Sequence, residues 1–534
     1  MRINGQAAPG RSRLMWAASF ALAIVFTAFQ IQSSLHSGAL SLPATYDDVG
    51  YFNDALQRLE ILYREGAWAL LKNFVAAPPH APTSTVLAMA GFALFGPHAW
   101  AADLMNAIPL AFILRLMLGM AYSELSLKVS LLLVAAFLGF PMFGLLVLEF
   151  RPDMLCALAA AAGALIIAGD PLWASAHRRT WRATTALFVV AMLAKPTLAP
   201  VTVFVFGVAI LVTLALQSRD RGQFWFIAGV AFVSGGIGVL LVLPYYILSF
   251  ARVYEYIVLN AFGAQKNVWA LTLSVKDHLL YYLAGQGGVT AIGRVWLTLS
   301  ALLVAGAAVV LARGRHRRNV LAVVVVALAA YTSVTAPAMK SPFIGLIVPA
   351  VVLWLAFAAA VVILSRLPHR WALVGAVTLL VVAAATWRPI SHRLWTASVP
   401  AVQSQNFQRI LQQTVDAVAT VPDLDKRKLY FPVIAQYLNQ DNVWYELRRR
   451  NLGVPAADLV YLDGNMDAQR AQIAAADLVI LFSDDSVLPI PWPATTKIRK
   501  EITAAVAKSG AFQTIAEIDG GPSYPGKVIV LKRK

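Results

Sequence analysis

The chain has 534 residues, of which 59% are hydrophobic and only 13% are charged, and its mean hydropathy is +0.67. A soluble domain carries roughly 25% charged residues, so the composition excludes an ordinary soluble protein and indicates an integral membrane protein. The net charge of +17 would also suit nucleic-acid binding. The basic residues, however, lie mainly in short loops between apolar runs and in the tail, which favours a role in membrane topology.

The first apolar run extends from Leu14 to about Gln30 and follows three arginines near the N-terminus. It is longer than the core of a usual signal peptide and lacks a clear small-residue cleavage site, so it predicts a retained anchor. The single cysteine, Cys156, lies inside an apolar run and predicts neither an intrachain disulfide nor catalysis. Further runs long enough to cross a membrane lie at 100–122, 127–148, 153–169, 183–216, 224–250, 289–312, 319–338, 343–364 and 371–387.

Two apolar segments depart from simple spans. The run 183–216 is too long for one crossing and is interrupted by Lys195-Pro196, which predicts two helices meeting at a break. Residues 84–96 form a shorter run that predicts an interfacial or half-spanning helix. With these segments, the chain predicts about 11–13 transmembrane helices.

Basic loops predict the orientation of these helices, because positively charged loops stay in the cytoplasm. The external side then receives the loops 36–83 and 251–288, the Lys195-Pro196 break, the turn at Lys340 and everything after about residue 389. This arrangement also places Asp153 outside, provided that 84–96 does not cross fully. The predicted cytoplasmic groups are Arg11 and Arg13, residues 177–182, Arg219 and Arg221, residues 313–318, and Arg366, His369 and Arg370.

The segment after about residue 400 changes character, because its apolar runs shorten to strand length and alternate with helix-like stretches. This alternation predicts a small α/β domain. We therefore predict a transmembrane catalytic domain over 1–390 and an extracytoplasmic α/β domain over 391–534, without a Gly-rich phosphate loop. The predicted strands are 428–433, 459–462, 478–482 and 528–531, and the predicted helices are 404–419, 441–450, 466–476 and 497–509.

Asp47 and Asp48 lie in the predicted external loop after the first apolar run, shortly before Tyr51. Ionisable groups beside a membrane are costly and indicate function by default. In a cleft, the pair could act as a base on an acceptor hydroxyl or bind a cation. The alternative is a solvated loop or a helix N-cap. The amphipathic stretch 52–71 that follows predicts a helix lying flat on the membrane.

Three further positions carry charge beside apolar runs. Arg151 and Asp153 open an apolar helix, where Asp153 also suits the positive end of the helix dipole. Lys195 lies at the predicted break, and broken membrane helices usually line a cavity, although snorkelling would place a lysine there too. Lys340 lies at an outer helix end, where an interfacial anchor is the alternative.

Metal binding is not predicted. His80 and His278 lack the ligand spacing that a metal site requires. The remaining features combine into one chemistry: a carboxylate deprotonates an acceptor hydroxyl, lysines hold a leaving phosphate, and membrane helices admit a lipid tail. This combination predicts sugar transfer from a lipid phosphate.

The order of these motifs over residues 14–390 resembles the GT-C superfamily of polyprenyl-phosphate-sugar-dependent glycosyltransferases. The protein O-mannosyltransferase and lipid A aminoarabinose transferase type is the most similar. His80-Ala81-Pro82 stands where that family has His-Pro-Pro, and Phe343 or Ile344 stands where a tyrosine is common. Besides the acidic pair, the matching segments read PPHAPTSTVLAMAGFALFG, AADLMNAIPLAFILRLMLGMAY, EFRPDMLCALAAAAGALIIA and MKSPFIGLIVPAVVLWLA.

The resemblance implies roles for individual residues. Asp47 falls on the catalytic base, with Asp48 as the neighbour that could replace it in the assignment, and Asp153 falls on the second acidic site. Lys195 and Lys340 become contacts for donor phosphate. The remaining residues implied at the substrate are Tyr51, His80 and Arg151.

The implied reaction is the inverting transfer of a hexosyl or pentosyl group from a polyprenyl-phosphate donor. The acceptor is a hydroxyl of a cell-envelope glycolipid, polysaccharide or protein at the outer face of the inner membrane. The resemblance leaves a divalent cation open and implies no nucleic-acid partner.

Two other readings remain. A transporter or flippase of a lipid-linked saccharide would more often show internal repeats and polar residues at mid-bilayer, whereas the charged residues here cluster at one predicted face. An inactive relative that binds glycolipid would not need the acidic residues Asp47, Asp48 and Asp153, which are all present.

Overall fold

The structure is a computed structural model of the chain. It describes residues 9–44, 46–170, 178–218, 220–261, 263, 270–312, 317–387, 401–435, 437–483, 493–522 and 524–534. These residues are mostly helical, with one small sheet near the C-terminus, which confirms the predicted fold class.

The chain forms two compact units, each assembled from three segments. Unit 1 comprises Met1–Ile31, Glu65–Leu87 and Asp103–Thr396, and unit 2 comprises Gln32–Arg64, Ala88–Ala102 and Ala397–Lys534. The predicted domain boundary at 390/391 lies outside the described residues and stays a prediction. Two segments expected in the first domain, 32–64 and 88–102, belong by contact to the unit that holds the C-terminal segment.

Eighteen of the described helices precede residue 388. In chain order they are α1 Pro9–Ser37, α2 Tyr46–Glu65, α3 Ala67–Ala76, α4 Pro82–Phe95, α5 Ala99–Met105, α6 Ala107–Tyr122, α7 Leu127–Phe137, α8 Pro141–Leu148, α9 Pro152–Gly169, α10 Arg178–Ala194, α11 Ala199–Gln217, α12 Arg221–Ala261, α13 Val275–Leu280, α14 Gln286–Ile292, α15 Arg294–Ala312, α16 Arg317–Thr335, α17 Ile347–Ser365 and α18 His369–Thr386.

The chain is a multi-pass membrane protein by the length and composition of its helices. Within the described residues, nine helices are long and apolar enough to cross a membrane, and the pair α7 and α8, bent by 69°, makes up to ten. Two shorter apolar helices, Pro82–Phe95 and Thr180–Ala194, match the half-span predicted at 84–96 and the first half of the long run. The number of membrane spans reaches the predicted range of 11–13 only if these two shorter helices also cross the membrane.

Helix α9 forms the centre of unit 1. All of its residues are buried, and α10, α11, α16 and α17 pack around it. Gly163 allows one of these approaches, because a Cβ there would lie 2.3 Å from the Phe206 ring of α11. Trp354 of α17 donates its indole N–H to the Leu158 carbonyl at 3.0 Å. The N-terminus of α9, which carries Asp153, is therefore held by packing from several helices.

The predicted break at Lys195-Pro196 is confirmed. Helix α10 ends at Ala194, a 3-10 turn covers Pro196–Leu198, and α11 begins at Ala199. Lys195 has a non-helical backbone conformation (φ −133°, ψ 85°), because the proline that follows disfavours a helical conformation in the residue before it.

Two of the predicted loops are more helical than expected. Helix α12 has 41 residues and continues to Ala261, so the first part of the loop predicted at 251–288 is helix. At about 1.5 Å per residue it is about 60 Å long, roughly twice the ~30 Å hydrocarbon core. The stretch 52–71, predicted as one surface helix, is divided between α2 and α3 at Gly66, whose φ is +87°. Only α3, which has no buried residue, fits the predicted surface position.

Unit 2 contains a four-stranded sheet with helices on both faces. The order is β1-β2-β4-β3, with β1 parallel to β2 and the other pairs antiparallel. In β2, Leu478, Ile480 and Phe482 join one apolar core and Val479 and Leu481 join the other. The elements are α19 Ala401–Ala419, β1 Leu429–Tyr430, α20 Gln440–Arg449, α21 Met466–Ala475, β2 Leu478–Phe482, α22 Ala494–Lys497, α23 Arg499–Ser509, β3 Phe512–Asp519 and β4 Lys527–Arg533.

Most predicted elements of this segment are present, with two errors. The strand predicted at 459–462 is wrong, because Val460–Leu462 is a 3-10 turn. Strand β3 was not predicted, because it is a sheet edge with mostly exposed side chains and a bulge between Thr514 and Ala516 that breaks its alternation.

Candidate active site

The predicted acidic pair lies in the first turn of α2, within unit 2. Asp47 is exposed, whereas Asp48 is 2% exposed. Carboxylates in a first turn are favoured by the positive end of the helix dipole, so a structural benefit and a chemical role are compatible here. Tyr51, predicted at the substrate, is buried one turn later. Of the pair, Asp47 is the carboxylate that solvent and a substrate can reach.

The first turn of α20 lies beside the acidic turn of α2. The Asn53 Nδ2 donates to the Asp441 carbonyl oxygen at 2.9 Å, and the Asn442 Nδ2 donates to the Ala44 carbonyl oxygen. The Phe52 ring lies 5.6 Å from the Tyr445 ring, centroid to centroid. These contacts hold Asp441, a residue near the end of the chain, next to the start of α2.

Asp47, Asp441 and Tyr461 interact electrostatically. Burial, followed by the negative charge of Asp47, raises the pKa of the Asp441 carboxyl to about 6. Burial and the charges of Asp441 and Asp47 raise the pKa of the Tyr461 phenol to about 12. A carboxyl that titrates near neutrality beside a second carboxylate is suited to proton transfer.

Asp441 and Tyr461 were not predicted as site residues. The sequence signal for Asp441 is the run Asn439-Gln440-Asp441-Asn442, which places four polar residues at the start of a predicted helix. Three of the four are buried. Nothing local to Tyr461 distinguishes it from an ordinary core tyrosine, because its neighbours come from distant parts of the chain.

Replacing Asp441 by asparagine should change how stability depends on pH. The pKa of an unfolded aspartate is 3.8, so the folded wild type retains its proton to higher pH and loses stability as pH rises from about 4 to about 6. The variant lacks this loss, so above pH 6 its free energy of unfolding should exceed that of wild type by up to about 3 kcal/mol. Below pH 4 the titration of Asp441 should contribute no difference between the two proteins. Unfolding of both purified proteins between pH 4 and pH 8 measures the difference. A constant difference over that range would contradict the assignment.

Unit 1 holds a second cluster of charges, around Asp153. Arg151 Nε and Lys195 Nζ each lie 3.5 Å from the Asp153 Oδ2. Lys195 and Asp153 are 5% and 2% exposed, and Pro152 begins α9 as predicted. Two cations therefore lie against one buried carboxylate, and guanidinium and ammonium groups are the types of side chain that bind phosphate.

Phe343 closes one side of this cluster. The Arg151 guanidinium carbon lies 3.3 Å from the centroid of the Phe343 ring, a distance typical of stacking. Phe343 or its neighbour Ile344 stands at the position where the resembled family commonly has a tyrosine. The phenyl ring supplies the stacking surface but no hydroxyl.

Lys340, the second predicted phosphate contact, donates to main-chain oxygens. Its Nζ lies 2.7 Å from the Thr335 oxygen, 2.6 Å from the Pro337 oxygen and 3.4 Å from the Val334 oxygen. Burial lowers the pKa of this amine. A cation at the C-terminal end of α16 stabilises the helix dipole and the last carbonyls, so the structure gives Lys340 a structural role, and its contact with phosphate stays a prediction.

His80 lies beside α12. Its exposed ring is 5.3 Å from the Tyr256 ring, and the preceding Pro79 carbonyl accepts a hydrogen bond from Tyr245 at 2.9 Å. The next residue on α12, Tyr246, donates to the Met192 carbonyl at 3.0 Å, just before the Lys195 break. One turn of α12 therefore supports both the His80 segment and the break.

The structure thus brings together Arg151, Asp153 and Lys195, and separately the start of α2 and Asp441. Asp47 and Asp153 belong to different units, and their participation in one site stays a prediction. Within the described ranges, no group of three or more His, Cys, Asp or Glu side chains could hold a metal ion. The divalent cation that the resemblance leaves open therefore gains no candidate ligand set among those residues.

No protein-family model and no curated protein matches this sequence. Solved structures do match over nearly the whole chain. ArnT from Cupriavidus metallidurans bound to undecaprenyl phosphate gives a TM-score of 0.59 at 14% identity, with 98% of this chain and 98% of that chain covered. The apo structure of the same protein gives 0.57 at 14% identity, with 98% and 97% covered.

The arabinofuranosyltransferase AftD from Mycobacteria also matches. Its TM-score is 0.52 at 14% identity, and the match covers 100% of this chain and 40% of that one. ArnT, a lipid A aminoarabinose transferase, and AftD are both GT-C glycosyltransferases. At this level of identity the likeness shows the fold alone, and it confirms the fold that the resemblance implied.

Proposed function

We propose that this chain is an integral membrane glycosyltransferase that moves a hexosyl or pentosyl group from a polyprenyl-phosphate donor to a hydroxyl of a cell-envelope acceptor. The observation that carries the proposal is the buried cluster of Arg151, Lys195 and Asp153 within a fold shared with a protein that binds undecaprenyl phosphate. Arginine and lysine are the side chains that most often bind a phosphate group in proteins. A donor phosphate would accept hydrogen bonds from both cations.

The leaving phosphate gains most from cations that are already oriented. Lys195 is fixed at a helix break, and Arg151 is stacked on Phe343. Preorganised cations stabilise charge that develops on the leaving oxygen without reorganising during the reaction. The apolar helices α10 and α11 on either side of the break suit the polyprenyl tail.

The acceptor hydroxyl requires a base, and Asp47 is proposed for that role. It is exposed, and it interacts electrostatically with Asp441 and Tyr461. Deprotonation of the hydroxyl as it attacks the anomeric carbon, with the lipid phosphate leaving from the opposite side, inverts the configuration at that carbon. Tyr51 is buried one turn after Asp47 and is proposed to position the first turn of α2.

The reaction is proposed to take place at the outer face of the inner membrane, with the C-terminal segment extracytoplasmic. Support comes from basic residues at the predicted cytoplasmic ends, such as Arg221, Arg317 and Arg366, each of which begins or ends an apolar helix. Some basic residues of that prediction, those at 177, 219 and 313–316, lie outside the described part of the chain. A cytoplasmic surface rich in Lys and Arg follows the usual rule of membrane insertion.

Mass spectrometry of envelope glycans tests the function. Cells that lack the chain are expected to lose one glycan-bearing envelope species and to accumulate the matching polyprenyl-phosphate sugar. Re-expression of the wild-type chain should reverse both changes. Unchanged envelope glycans in the deletion strain would contradict the proposal. A flippase is excluded if the purified protein, in detergent without a membrane barrier, still consumes the accumulated donor lipid when an envelope extract is added.

A further inference from the structure

Unit 2 contains three buried amide side chains with atoms that lack hydrogen-bond partners among the described residues. They are Asn53 on α2 and Gln440 and Asn442 on α20, with exposures of 9%, 1% and 1%. The unpartnered atoms are the Oδ1 of Asn53, the Oδ1 of Asn442 and both amide atoms of Gln440. Buried polar atoms are almost always hydrogen-bonded, so a group of exceptions calls for an explanation, such as a ligand.

The oxygens have defined places. The Asn53 amide nitrogen donates to the Asp441 carbonyl and the Asn442 amide nitrogen donates to the Ala44 carbonyl. Each donation fixes which end of the amide is oxygen. The Asn53 Oδ1 therefore lies beside the main chain at Asp441, and the Asn442 Oδ1 lies beside the main chain three residues before Asp47. Gln440 flanks Asp441 directly in the first turn of α20.

We propose that Asp441, together with Asn53, Gln440 and Asn442, forms the site that recognises the hydroxyl groups of the acceptor. The proposal rests on the proposed transferase function. It concerns the acceptor, which the likeness of fold does not identify. The acceptor would be a polyhydroxylated headgroup that presents one hydroxyl to Asp47 and others to these side chains.

The available groups match hydroxyls in kind. The amide oxygens accept the hydrogens of hydroxyls, while the free N–H hydrogens of Gln440 donate to hydroxyl oxygens. A carboxyl at Asp441 accepts further hydroxyl hydrogens when it is ionised. A metal ion would use the oxygens but leave the Gln440 amide nitrogen without a partner, so a sugar-like ligand satisfies more of the buried atoms.

Gln440→Leu tests the proposal, with Gln469→Leu as the matched control. Gln469 is equally buried, but its amide is fully bonded: it accepts from Tyr430 at 2.7 Å and donates to the Val460 and Asp463 carbonyls. Loss of ligand hydrogen bonds should reduce glycan product in the Gln440→Leu strain by about tenfold or more. Its unfolding temperature should be unchanged or higher, because no protein hydrogen bond is lost, whereas Gln469→Leu should unfold at a lower temperature.

The readouts separate this proposal from the function on which it rests. Binding of undecaprenyl phosphate to purified Gln440→Leu should equal that of wild type, because only the acceptor side is changed. Full glycan product in the Gln440→Leu strain would overturn the proposal and leave the transferase function intact. A fall in unfolding temperature like that of Gln469→Leu would overturn it too. So would the finding that the wild-type protein binds calcium or magnesium and that Gln440→Leu does not. Absence of product from the wild-type strain would instead overturn the transferase function.

Discussion

Asp47→Asn is expected to reduce sugar transfer by about 10²–10⁴-fold, the usual contribution of a positioned general base. Asparagine keeps the size of the side chain and its place in the first turn of α2 but cannot accept the hydroxyl proton. Because Asp47 is exposed, the unfolding temperature should change little. The measurement is the rate at which the purified variant consumes the donor lipid in the presence of envelope extract.

Asp48→Asn provides the matched control for this experiment. Asp48 lies in the same turn but is 2% exposed, so its replacement should lower stability more than it lowers transfer. If Asp48→Asn abolishes transfer and Asp47→Asn does not, the base is Asp48. Full activity of both variants would remove the acidic pair from the mechanism.

Lys195→Met is expected to weaken binding of undecaprenyl phosphate by about 10–100-fold, because it removes one charge-assisted contact to the phosphate. It should also destabilise the protein by up to about 3 kcal/mol, since a buried carboxylate loses one of its two cations. Arg151 still lies 3.5 Å from Asp153, which limits the loss. Native mass spectrometry with the lipid and thermal unfolding in detergent provide the two measurements.

A double variant separates the two effects of Lys195. Lys195→Met with Asp153→Asn removes the buried carboxylate along with the cation that it lost, so much of the stability should return. Binding of the lipid phosphate should stay weak, because the cation is still missing. Recovery of both stability and binding in the double variant would show that Lys195 serves only to neutralise Asp153.

The sequence was sufficient for features that are encoded locally. Pro196 predicts the helix break, and Pro152 with Asp153 predicts the start of α9; the structure has both. The long apolar runs likewise predict the spans, because twenty apolar residues have few other stable environments.

What the sequence could not show depends on contacts between distant segments. Asn53 and Asp441 meet across 388 residues, and no local pattern near Asp441 reports that Asp47 lies beside it. The main-chain partners of Lys340 were likewise not visible in the sequence: the structure directs its amine to three carbonyls, and its contact with phosphate stays a prediction. Strand β3 was missed since an exposed edge strand needs little hydrophobic signal.

The assembly of unit 2 from both ends of the chain has a consequence for biosynthesis. A ribosome that adds 5–20 residues per second needs roughly 20–80 s to synthesise the 388 residues that separate Asn53 from Asp441. During that time α2 has left the ribosome without its partner helix α20. The nascent protein therefore inserts nearly all of its membrane helices before Asp47 acquires its neighbours on α20. A chain that is truncated late in translation would be anchored in the bilayer but would lack the α20 residues that we propose bind the acceptor.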